Sequence, residues 1–115
     1  MQTIIDCRDR MYPGEGRKIL FCAPSNTDTG DRTANIANIR TWIAQVVAAA
    51  GGEANGLKVI DWSQAFALNA TATADTNIKS SERTAGNRLH PSGIGSATLG
   101  QYTFDQAKTF LFGLT

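Results

Sequence analysis

The sequence predicts an α/β fold built on parallel strands, and three observations carry that prediction. Two apolar runs, Lys18 to Ala23 and Leu57 to Trp62, are continuous rather than alternating, as strands covered by helices on both faces must be. Between them Ile36, Ile39, Ile43, Val46, Val47 and Ala50 recur at helical spacing over four turns. Strand, helix, strand in this order is a βαβ unit, whose crossover is expected to be right-handed.

The elements follow in chain order. Thr3 to Met11 reads as a helix with a partial apolar face of Ile4, Ile5, Cys7 and Met11, while Arg8, Asp9 and Arg10 read as its solvated side. Tyr12-Pro13-Gly14-Glu15-Gly16 stops it. The first strand ends at Pro24, and the polar segment from Ser25 to Arg32 reads as a loop. Asp31 or Thr33 can cap the long helix, expected over 34–50, and Gly51-Gly52 supplies its stop. After Phe66 a polar stretch, Asn69 to Asn77, predicts a long loop. A last helix is expected from Gly93 to Phe112 on Leu99, Tyr102, Ala107, Phe110 and Leu111. No internal repeat is visible.

Composition narrows the function classes. The 115 residues suffice for one domain, spanning 1–115, and the apolar fraction of 42% with 18% charged residues is that of a globular chain. Eleven basic against ten acidic residues, with no basic block, argue against a nucleic-acid partner. The longest apolar stretch, around Val46 to Ala50, is too short to span a membrane. Asp6, Arg8, Asp9 and Arg10 break the apolar run that an export signal would need, so none is expected here, which leaves the compartment open. Cys7 and Cys22 lack metal or redox spacing, and Cys22, inside an apolar run, reads as a small buried hydrophobe. No cluster of His, Cys and carboxylates has metal-ligand spacing, and neither Trp42 nor Trp62, read as core or interface aromatics, suggests a cofactor. Two parallel strands have two open edges and little core, so another protein segment or subunit is expected to complete the sheet.

The residues that could carry chemistry centre on the single histidine. His90 lies in Gly86-Asn87-Arg88-Leu89-His90-Pro91-Ser92-Gly93. Pro91 holds His90 extended, and Ser92 can cap the following helix, which mounts an imidazole on a loop at a helix entrance. Its ordinary pKa suits proton transfer near neutrality. Asp61 ends a strand at the edge where α/β proteins bind ligands, but it reads first as a cap or turn former.

The order of these segments resembles the C-terminal half of SGNH or GDSL-type hydrolases over nearly the whole chain. That family has a helix, a strand ending near Pro, a long helix, a strand ending in Asp, and a phenylalanine-bearing loop, matched here by Lys18 to Pro24, Val59-Ile60-Asp61-Trp62 and Phe66. It then has Asp-x-x-His-Pro, a Gly and a final helix, matched by Asn87 to Gly95. The resemblance implies part of a flavodoxin-like three-layer α/β/α unit and a serine esterase or acyl hydrolase acting on an ester or acylated carbohydrate. His90 would be the catalytic base and Asn87 the group at the orienting position. The family's Gly-Asp-Ser motif and its oxyanion-hole residues have no counterpart here, since Gly30-Asp31 is followed by Arg32. Asn87 replaces the family's Asp: its amide can hold the imidazole tautomer but carries no charge. Asp75 is the alternative orienting group if the long loop folds back. The chain alone is therefore expected to be inactive. The alternative expectation is a non-catalytic structural module derived from that fold, in a virion or cell-surface assembly.

Overall fold

The computed structural model describes residues 1–24, 30–66, 83–84, 87–91 and 93–115. In order they form helix α1 (Gln2–Met11), strand β1 (Ile19–Ala23), helix α2 (Gly30–Ala49), strand β2 (Leu57–Asp61), a short hairpin of β3 (Arg83–Thr84) and β4 (Asn87–Pro91), and helix α3 (Gly93–Phe112). Short 3-10 turns, Gly52–Asn55 and Trp62–Phe66, flank β2. The class is mixed α/β.

β1 and β2 pair in parallel and in register from Ile19 opposite Leu57 to Ala23 opposite Asp61, with α2 as the connection. Side chains of a strand alternate between faces, so Ile19, Phe21, Leu57 and Val59 share one side. That side meets Ile5 of α1 and Val47 of α2 in the main core, joined by Met1, Val46 and Ala50. The opposite side carries Leu20, Cys22, Lys58 and Ile60 and is covered on its β2 half by α3, where Leu99 and Ala107 are buried. α3 runs antiparallel to the strands. Thr103 in its middle accepts a 3.0 Å hydrogen bond from Trp62 Nε1, just past the carboxyl end of β2, while Lys18, before β1, donates to the carbonyl of Leu111 near the helix's other end.

The turn into β2 requires glycine. Gly51 and Gly52, both at positive φ, end α2 as their sequence suggests, and Asn55 Nδ2 donates to Ala50 O at 2.8 Å to occupy one of the helix's last carbonyls. Gly56 (φ +68°) is tighter still, because a Cβ there would stand 2.3 Å from Gly16 O.

Five local expectations are corrected. Arg8 is buried rather than solvated: it follows Ile5 by three positions and shares its helix face. Its Nη1 donates to Asn55 O at 2.7 Å and Arg17 O at 3.1 Å, tying α1 to the entrances of both strands. Nη2 lies 2.7 Å from Asp9 Oδ1 but lacks hydrogen-bond alignment, and Nε makes the directed bond to the same oxygen. Ile4 and Met11, read as apolar-face residues, are exposed. Cys22 is exposed, because α3 sits over β2 and leaves the β1 side of that face open; Cys7 and Cys22 are free thiols. α2 begins at Gly30, so Gly30 to Arg32 are helical rather than loop. Ile39, on the expected helix stripe, is exposed, whereas Ile43 and Val47 are buried; Trp42, read as a core or interface aromatic, is exposed and so lies outside the core. The predicted long loop after Phe66, with Asp75, lies outside the described residues.

Candidate functional site

The carboxyl end of the parallel pair gathers the polar side chains that open α/β sheets use for ligands. Asp61 closes β2, and its Oδ1 accepts from the backbone N–H of Ser63 at 2.9 Å and from Ser63 Oγ at 2.6 Å. This is the turn-capping role read from the sequence, with the carboxylate satisfying the start of the Trp62–Phe66 turn. Ser63 is buried and its hydroxyl donates to Asp61, so its oxygen is closed to a substrate carbonyl by burial.

Arg40 reaches the same corner from α2. Its Nε is 3.9 Å from Asp61 Oδ1, and Nη1 donates to Pro24 O at 3.4 Å, joining the carboxyl ends of both strands. Sequence reading overlooked it, although the signal exists: Arg40 is four residues after Ile36 and three before Ile43, so a cation interrupts the apolar stripe and must find partners. Tyr102 approaches from α3. Partial burial first, and the negative charge of Asp61 second, raise its phenol above the ordinary tyrosine value.

The sequence-predicted pair, His90 and Asn87, lies on β4 rather than on a loop. β4 pairs antiparallel with β3, Thr84 opposite Asn87 and Arg83 opposite Pro91, with a register shift between. Pro91, which has no N–H to donate, ends the strand. The backbone is extended at His90, as Pro91 dictates, and α3 starts three residues later at Gly93. Asn87 opens and His90 nearly closes the same five-residue strand, so the two share one segment. Thr103, Trp62 and Arg40 complete the corner between α2, the sheet and α3.

Beside this corner, between α3 and the open side of β1, runs a groove of about 640 Å³. Leu20 lies in it, with Trp62, Leu99 and Thr103 towards one end and Leu111 and Phe112 towards the other.

No protein-family model, curated protein or solved structure matches this chain. Among the described residues no three His, Cys, Asp or Glu side chains are grouped to hold a metal ion, and no helix is long and apolar enough to cross a membrane.

Proposed function

We propose that this chain is the C-terminal portion of an SGNH-type serine esterase or acyl hydrolase, part of a flavodoxin-like three-layer unit that another segment or subunit completes. One observation carries the reading: α3 runs antiparallel to the β1–β2 pair, with its middle bonded to Trp62 just past the carboxyl end of β2. The segment feeding its first turn, β4 with His90, therefore approaches α3 at the end of the helix nearer that edge. A base belongs there if a serine on a completing segment is to lose its proton to His90 and attack an ester carbonyl. Asn87, or a backbone carbonyl, orients the ring.

Among the described residues no strand pairs with the outer edge of β1 or of β2, and those edges are the place for the completing strands. A structural role in an assembly is the second reading. It is favoured by Asn87 in place of an acidic residue and by the outward Met11, Trp42, Phe112 and Leu114, each half exposed or more.

The test uses p-nitrophenyl acetate as substrate and an affinity tag on this chain. The chain alone hydrolyses the ester no faster than buffer, and the assembly isolated through the tag hydrolyses it. Activity in the isolated chain overturns the missing-nucleophile argument. An inactive assembly overturns the hydrolase reading and leaves the structural one.

A further inference from the structure

We infer that the groove along α3 is a binding site for a long-chain carboxylate, an alkyl tail with an anionic head. The inference rests on the groove and on Lys18, and stands whether or not His90 is a base.

The volume, about 640 Å³, is within the range of sites that enclose a small organic ligand. Its lining is apolar apart from the hydroxyls of Ser96 and Thr103, and the latter already accepts from Trp62 Nε1. From Ser96 to Phe112 the groove follows α3 over seventeen residues, about 24 Å at the helical rise of about 1.5 Å per residue. A peptide laid in so long a groove would bring a backbone donor and acceptor at every residue, and the walls offer almost nothing to meet them. An alkyl chain makes no such demand.

Charge marks one end. Lys18 lies just before β1, two residues ahead of Leu20, and its ammonium sits 5.4 Å from the ring of Phe110. Its one hydrogen bond goes to the carbonyl of Leu111, and among the described residues no carboxylate pairs with it. The neighbouring Lys58, also beside Phe110, is taken by Glu53. Among the described residues Lys18 is thus a cation without a paired anion, at the Leu111 end of an apolar trough. A carboxylate head placed there leaves the tail to run past Leu20 towards Trp62.

Trp62 reports occupancy directly once the exposed Trp42 is replaced. The 115-residue chain carrying Trp42→Phe is titrated with octanoate, dodecanoate and dodecanol below their aggregation limits, following Trp62 fluorescence. Saturable binding is expected, with dodecanoate at least about tenfold tighter than octanoate, since each of four added methylenes contributes about two- to fourfold in a partly open groove. Dodecanol binds about two- to fivefold more weakly than dodecanoate, and Lys18→Gln removes that difference.

Gly100 supplies the blocking variant. It lines the groove, a Cβ there meets nothing within 4 Å, and its φ is not in the left-handed region, so Gly100→Leu fills the trough without disturbing α3. That variant keeps the wild-type circular dichroism and loses the Trp62 response. Absence of saturation, affinity independent of chain length, or unchanged binding by a folded Gly100→Leu variant overturns the site. Equal affinity for dodecanol and dodecanoate overturns the anionic head.

Discussion

Replacing Gly56 by alanine should weaken the chain far more than the same change at Gly52, although both glycines have positive φ. At Gly52 the new methyl meets open space, and the cost is the left-handed conformation alone, about 1–2 kcal/mol. At Gly56 the same conformational cost applies, but the Cβ would lie 2.3 Å from Gly16 O and 3.1 Å from Arg17 O. Both obstacles are backbone, so the segment entering β1 must move. Overpacking of that kind adds about 1–3 kcal/mol. The movement also strains the 2.8 Å bond from Ile19 N to Gly56 O and the Arg8 bond to Arg17 O. The total is about 2–5 kcal/mol, a large share of a stability of about 5–15 kcal/mol. In urea unfolding at one fixed protein concentration, with a slope of about 2 kcal/mol per molar, the midpoint falls by about 1–2.5 M for Gly56→Ala and by about 0.5–1 M for Gly52→Ala. Equal shifts for the two variants would refute the close approach of the two strand entrances.

Three further outcomes follow from individual contacts. Arg8→Met leaves the carbonyls of Asn55 and Arg17 without their donor and costs about 2–4 kcal/mol in the same urea assay, while Asp9→Asn, at an exposed partner, costs less than 1 kcal/mol. Tyr102 ionises above the ordinary tyrosine pKa in the folded chain, so its contribution to stability is complete below about pH 10 and is lost as pH rises through the higher folded value. Tyr102→Phe flattens that alkaline decline, and a decline of unchanged slope in the variant contradicts the assignment. Sedimentation of the isolated chain shows self-association, because among the described residues no strand covers either outer edge of the parallel pair; a cooperative, compact monomer would contradict it.

The parts of the fold legible in sequence are those with a strong repeating signal. β1 and β2 announce themselves by apolar continuity, and α3 runs over the Gly93–Phe112 span its spacing predicts, despite glycines at 93, 95 and 100. Charge places Arg8 in solvent on a sequence reading, whereas its three-residue spacing from Ile5 decides its face. Arg40 draws no reading from sequence, although it interrupts the apolar stripe between Ile36 and Ile43. Cys22 was assigned to the interior because an apolar strand implies cover on both faces, and in this chain α3 covers only part of one. The β3–β4 hairpin had no readable signal, since β3 has two residues and β4 ends in the turn-forming Pro91. Within the candidate site, Asp61 was legible as a cap because Asp at a strand end meets the next backbone N–H; its link to Arg40 depends on tertiary proximity that spacing does not encode.

The hydrolase reading is tested most directly on the tagged assembly carrying single substitutions in β4. His90→Ala is expected to reduce p-nitrophenyl acetate turnover to background, because no other imidazole exists in this chain to take the serine proton. Asn87→Asp is expected to raise turnover, since the reverse change at an orienting aspartate costs about 10⁴-fold in a serine protease. Turnover that survives His90→Ala would contradict the role of His90 as the base.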